Sequence, residues 1–336
     1  MTRPSPSPRT SERSRSKIIF LLSGESTTIP AAEASALVRM QDRSAEIESP
    51  EERILIASTD SDADTIASRV AFSKRVGSLV PDGRLDRDHL SSLRAGTYRV
   101  TVFELGEKRP DSDALLSYLA GEIGGKVALD DPDVEIALVR GDRDYLALCR
   151  PSLMSQDWVR RRPRARPFFH PAAIFPKLSR ALVNFSGVGQ GEVFLDPFCG
   201  TGSLLLEAHE IGVRALGADR DPRMVKGAMK NMASFRQDWL AVVRADVRET
   251  PFTGVDAIAT DIPYGRASST AGSSAGEILE GLRKTAAGLL GEGRRLVVMH
   301  PDTVAVESRE DFELEEEHHL YIHRKLTRTI SVLRRV

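Results

Sequence analysis

The chain has 336 residues, 41% hydrophobic and 28% charged, enough for two or three domains with buried cores. A formal net charge of -1 excludes a global basic field, so any nucleic-acid partner must be held by a local patch. With only Cys149 and Cys199, a disulfide framework and a cysteine-rich zinc site are excluded, and no apolar run approaches the ~20 residues of a membrane span.

Residues 1–16 are rich in Ser, Pro and Arg. Transit peptides and disordered tails share that composition, and a disordered tail is expected here. The apolar residues 18–22 are too few for a signal-peptide core and read as a first buried strand, ended by Ser23-Gly24. Residues 30–38 form a helix with Pro30 in its first turn. A second strand is expected at 53–58 and a second helix at 64–72, so residues 17–80 make a small α+β unit. Residues 98–103 alternate as a strand does. Residues 112–123 carry Leu115, Leu116, Leu119 and Ile123 at helical spacing, stopped by Gly124-Gly125. Residues 134–139 and 145–148 look like a hairpin with Gly141-Asp142 near its turn.

Between Arg160 and Arg166 stand five arginines, the others being Arg161, Arg162 and Arg164, broken by Pro163 and closed by Pro167. A charge run is ordinarily a solvated face. This one separates two folded zones, so it also reads as a rigid connector that meets phosphate, which suits guanidinium geometry. Beyond it, strands at 193–195, 215–218, 242–243, 257–259 and 295–299 alternate with helices at 202–211, 222–235 and 278–290. That pattern calls for an α/β fold with a parallel sheet covered on both faces. Segments 312–321 and 329–333 are expected to close it as an antiparallel edge hairpin.

The chemistry sits at the strand ends. Asp196-Pro197-Phe198-Cys199-Gly200-Thr201-Gly202 lies between a strand and a helix, where a ligand meets the backbone outside the strand carboxyl ends. Leu205 occupies the place of a dinucleotide fingerprint's third glycine, and no Lys follows Gly202, so a polyphosphate ligand is disfavoured. Asp219, directly after the next strand, can accept both hydroxyls of a ribose; Asp221 reads better as the cap of a helix that begins with Pro222. Asp246 can hold an adenine amino group, with a plain surface turn as the competing reading. The decisive element is Asp261-Ile262-Pro263-Tyr264. An exocyclic amine on a base is a poor nucleophile because its lone pair is delocalised. Asp261 and the carbonyl of Ile262, whose neighbour Pro263 has no N–H to compete, can accept its two N–H bonds and localise that pair. Tyr264 can stack on the extruded base. Cys199 reads as a small buried residue rather than a nucleophile.

These motifs resemble the Rossmann-like methyltransferases that modify amino nitrogens of bases. The usual fourth motif there is Asp/Asn-Pro-Pro-Tyr, from which Ile262 departs while keeping the acid, one proline and the aromatic. Arg166-Pro167-Phe168-Phe169-His170-Pro171, the run from Pro176 to Asn184, and the late His323-Arg324-Lys325-Leu326-Thr327-Arg328 further resemble archaeal tRNA (guanine-10, N2)-methyltransferases. The segment from Gly124 to Tyr145 looks like the end of a THUMP domain, which is implied to grip the acceptor end of tRNA. The resemblance implies a disordered tail at 1–16, a ferredoxin-like domain at 17–80, THUMP at 81–153, an Arg/Pro linker at 154–170, and at 171–336 a class I methyltransferase domain with a mostly parallel seven-stranded sheet. It implies S-adenosylmethionine contacts from Asp196, Phe198, Gly200, Thr201, Gly202, Asp219, Arg220, Asp246, Val247 and Asp261. It implies one or two methyl transfers to N2 of guanosine 10 by a cytoplasmic monomer, with tRNA as partner and neither metal nor membrane. The acid-Pro-Tyr element alone does not separate guanine from DNA adenine or cytosine. A protein amide substrate and a non-catalytic RNA-binding protein are the other readings weighed; the arginine linker weighs against the first, the four intact strand-end aspartates against the second.

Overall fold

The computed structural model describes residues 15–123, 125–154, 157–235, 241–263, 274–323 and 326–336. The tail expected at 1–16 therefore lies outside them except for Arg15 and Ser16, as do Gly124, Tyr264, Arg324 and Lys325. The first half runs β1 (Ser16–Leu22), α1 (Ile29–Gln41), β2 (Glu46–Glu51), β3 (Ile54–Thr59), α2 (Ala63–Arg69), β4 (Ser73–Leu79), α3 (Arg87–Ala95), β5 (Thr97–Glu104), α4 (Ser112–Ile123), β6 (Lys126–Val127), β7 (Val134–Arg140), β8 (Asp144–Cys149) and the single turn α5 (Pro151–Met154). Its strands form one sheet in the order β2-β3-β1-β4-β8-β7-β5-β6. Pairing is antiparallel from β2 through β7, and β5 is parallel to both its neighbours. The sheet thus continues across residue 80 through the pairing of β4 with β8.

Three of these strands, β2, β4 and the two-residue β6, together with helix α3 and the single turn α5, are additions to the sequence expectation. The sequence of β2, Glu-Ile-Glu-Ser-Pro-Glu, is that of a polar edge strand, which carries little apolar signal. Helix α2 stops at Arg69 rather than Phe72 because the buried carboxylate of Glu33 accepts the N–H groups of Ala71 (3.1 Å) and Phe72 (2.8 Å).

The second half runs α6 (Pro176–Phe185), β9 (Val193–Asp196), α7 (Ser203–Glu210), β10 (Arg214–Asp219), α8 (Pro222–Ser234), β11 (Ala241–Arg244), β12 (Ala257–Asp261), α9 (Ala275–Leu289), β13 (Arg295–Pro301), β14 (Phe312–His323) and β15 (Leu326–Arg335). The sheet order is β11-β10-β9-β12-β13-β15-β14. The first five strands are mutually parallel, and β15 is antiparallel to β13 and β14. This is the mostly parallel seven-stranded sheet with a closing hairpin that the sequence implied. The chain turns back at β9, placing β10 and β11 on one side and β12 and β13 on the other. Loops leaving these strands diverge there and open a crevice at their carboxyl ends. Apolar cores cover both faces, one holding Phe194, Leu205, Met232 and Val297, the other Leu195, Ile258, Leu282 and Val298. Among the described residues no helix is long and apolar enough to cross a membrane.

The halves share a core. Ile29, Ala36, Ala71 and Phe72 pack with Ala181, Phe185 and Val188. Polar bonds cross the same seam: Asn184 Nδ2 donates to Glu33 (2.7 Å), and Arg69 donates to the Val188 carbonyl (2.8 Å). Burial pushes the Glu33 carboxyl up to about 7.

Candidate active site

The segment after β9 makes a tight loop because two of its residues adopt backbone angles that favour glycine. Gly200 has φ 51° and Gly202 has φ 81° at the start of α7. Gly217 in β10 is needed for a different reason: a Cβ there would lie 2.6 Å from Leu205 and 3.2 Å from Cys199. The loop is tied down by carboxylates. Asp196 Oδ1 accepts from the Phe198 N–H (3.1 Å) and the Thr260 hydroxyl (2.6 Å). Asp219 accepts from the N–H groups of Gly200 (3.0 Å) and Asp221 (2.8 Å), fixing β10 to the glycine loop. Asp221 caps α8 through the Arg223 N–H (2.8 Å), with Pro222 in its first turn, as its sequence context indicated.

A cavity of about 770 Å³ opens at these strand ends. Of the residues singled out in the sequence, Asp196, Phe198, Gly200, Thr201, Asp219, Arg220, Asp246, Val247, Asp261, Ile262 and Pro263 line it. Gly202 instead shapes the loop from behind, its α-carbon facing Ala228. Tyr264 lies outside the described residues. Asp246 has two occupations. It lines the cavity, and it also caps the short helical turn Val247–Glu249 and pairs with Arg248 through both oxygens (2.9 Å each). That pairing with Arg248 holds its carboxyl down at about 2.

Burial sets the electrostatics. It pushes Asp196 up to about 7 and Asp261 up to about 6, and it raises Asp219 as well. Cys199 is buried and its thiol is pushed well up, which leaves it no nucleophilic role. Asp261 Oδ2 accepts from Arg328 Nη1 at 2.7 Å, while its buried Oδ1 has no hydrogen-bond partner among the described residues. A buried acceptor without a donor is costly, so Oδ1 is suited to an N–H that arrives with a ligand. The four aspartates at the strand ends suit a cationic or neutral ligand better than a polyphosphate.

Sequence reasoning missed Arg328, His170 and Glu277, which also line the cavity. Arg328 and His170 stood in segments noted for resemblance, without an assigned role. The expectation that all five linker arginines meet phosphate is corrected. Arg161 is buried and bonded to Glu207 (2.7 Å) and Glu210 (3.1 Å). Arg166 is buried and donates to the Arg161 carbonyl (2.8 Å) and to Ser203 (2.7 Å). Arg161 thus shares the buried Glu207 with Arg180 (2.8 Å), while Arg166 turns inward to polar partners other than a carboxylate. Arg160, Arg162 and Arg164 remain exposed.

Residues 163–330, half of the chain, match the family model described as "RMKL-like, methyltransferase domain". A tRNA (guanine(10)-N2)-dimethyltransferase of Methanothermobacter thermautotrophicus is 39% identical over 64% of this chain and 65% of its own length, so just under two thirds of that relative is spanned. One of the same name from Methanocaldococcus jannaschii is 27% identical over 94% of this chain and 99% of its own. Among solved structures, TrmN from Thermus thermophilus superposes with a TM-score of 0.50 at 19% identity, covering 95% of this chain and 100% of that one, which is a likeness of fold. The matched segment contains the glycine loop, the four strand-end aspartates and Arg328, and the chain belongs to the RMKL-like methyltransferase domain family.

Proposed function

We propose that the chain transfers one or two methyl groups from S-adenosylmethionine to the N2 amino group of guanosine 10 in tRNA. The observation that carries the chemistry is Asp261, a carboxylate at the end of β12 with Oδ2 bonded to Arg328 and a buried Oδ1 that has no hydrogen-bond partner among the described residues. An N–H bond to Oδ1, with a second to the Ile262 carbonyl, localises the amine lone pair. Tyr264 stacks on the extruded base and fixes its plane. The cofactor supplies a methyl group already activated on a sulfonium, so no metal is required. Asp219 accepts from the ribose hydroxyls, and Asp246 with Val247 meets the adenine. The glycine loop lets the cofactor approach the backbone, with Asp196, Phe198, Thr201 and Arg220 around it. Holding amine and methyl group in line supplies much of the rate.

Base and position are supported by the names of the two archaeal relatives; residue physics alone selects an exocyclic amine. The N-terminal half grips the RNA, with a ferredoxin-like part at 17–80, THUMP at 81–153 and the linker at 154–170 leading into the catalytic domain. Arg160, Arg162 and Arg164 meet phosphates. The same reading takes the chain to be a cytoplasmic monomer.

Asp261→Ala tests the assignment. Methyl transfer to tRNA is expected to fall by about 10²–10⁴-fold while the cofactor dissociation constant barely changes. Turnover like that of the wild type would overturn the role given to Asp261.

A further inference from the structure

The pairing of Arg328 with Asp261 supplies what the acid-Pro-Tyr element lacks, a means of telling guanine from other aminated bases. Arg328 comes from β15, across β13, and its guanidinium lies 2.7 Å from Asp261 Oδ2. We infer that Arg328 is a positioning residue that occupies Oδ2, keeps Asp261 an ionised carboxylate and leaves Oδ1 for the reacting amine, so that the site selects a base edge bearing two adjacent N–H donors. This rests on the proposed methyl transfer to a base amine.

The argument concerns donors and acceptors. An ionised carboxylate only accepts hydrogen bonds. The guanine edge offers N2–H beside N1–H, both donors, which match Oδ1 and the remaining lone pair of Oδ2. Adenine and cytosine offer an amine beside a ring nitrogen that is itself an acceptor, so one carboxylate oxygen would face a lone pair with no proton between them. A protonated carboxyl reverses this preference, because it accepts from the amine and donates to the ring nitrogen. The charge of Arg328 therefore decides which edge fits. As the N–C bond to N2 forms and the donor's S–C bond breaks with its electron pair left on sulfur, Asp261 takes the proton that N2 releases.

Among the described residues, few charged or titratable groups surround Asp261. Arg328 faces it from β15, and Asp196 lies on β9 with Asp219 beyond it on β10. Glu277 lines the cavity from the start of α9. His300, on neighbouring β13, is turned to Ser331 (2.8 Å). Only Arg328 among these donates to the Asp261 carboxylate. Burial pushes Asp261 up to about 6 against the pull of Arg328, so activity of the wild type should rise with pH through about 6.

The experiment compares wild type, Arg328→Lys and Arg328→Gln, each checked for an unchanged thermal transition and cofactor affinity. The substrates are a tRNA with guanosine at the target position and one with 2,6-diaminopurine there, which keeps the amine and replaces N1–H with an acceptor. In Arg328→Gln the acid limb of the pH–rate profile should move up by about 1 unit or more, and in Arg328→Lys by less. Wild type should prefer guanosine by about 10²-fold or more, and Arg328→Gln should narrow that ratio below pH 7. An unmoved acid limb in Arg328→Gln, or equal use of both bases by wild type, overturns the inference. If wild type methylates no guanine N2 at all, the proposed function has failed instead. The carboxyl ¹³C titration of Asp261, identified with Asp261→Asn, then decides the role of Arg328, a midpoint unchanged in Arg328→Gln contradicting it.

Discussion

Asp219 illustrates how one side chain serves both the loop and the ligand. Its oxygens accept the N–H groups of Gly200 and Asp221, so the carboxylate that would hold a ribose also fixes the glycine loop. Asp219→Ala removes both services, and a change of about 1–3 kcal/mol is expected, or roughly 5- to 150-fold weaker S-adenosylmethionine binding by calorimetric titration. Unchanged affinity would remove Asp219 from the cofactor site. Asp196, Asp219 and Asp261 were legible in the sequence because each is the polar residue that ends an apolar strand. Arg328 was not, because its partner stands 67 positions away and only the strand order brings the two together.

At the scale of elements, the parallel sheet was readable because each buried strand is a short apolar run and helix α8 carries its own start signal. That signal is the cap Asp221 with Pro222, whereas the capping box of Ser274 and Glu277 that starts α9 at Ala275 was not read and the helix was expected only from 278. Strand β4 was not readable, since partners distant in sequence, β1 and β8, hold it in the sheet, and β2, although it pairs with the adjacent β3, was hidden by its polar composition. The linker divides in the same way. Its pattern shows five arginines, but only packing against α7 decides that Arg161 and Arg166 face Glu207 and Ser203. Replacing Arg160, Arg162 and Arg164 together with alanine should weaken tRNA binding and reduce the slope of log K against log salt by roughly 1 unit per lost phosphate contact. An unchanged slope would make the linker a connector only.

Across the whole molecule, a run of buried polar contacts joins the two halves. Glu33 and Arg69 meet Asn184 and Val188 on the catalytic side. Arg180 of the same helix, α6, bonds Glu207 (2.8 Å), which Arg161 also reaches, and Trp158 lies beneath both guanidiniums, 5.0 Å and 5.5 Å from its ring. Arg166 completes the run at Ser203, beside Thr201 of the glycine loop. Such pairs cost several kcal/mol when one partner is lost, so they hold the N-terminal sheet in a defined position relative to the catalytic crevice. A fixed spacing of that kind suits the proposed division of labour, in which one half grips the RNA and the other modifies one base. The most direct test of this account is transfer from S-adenosylmethionine labelled in its methyl group to bulk unmodified tRNA, followed by nucleoside analysis. The account predicts label in N2-methylguanosine or N2,N2-dimethylguanosine. Label in another nucleoside, or none while the cofactor still binds, would contradict it.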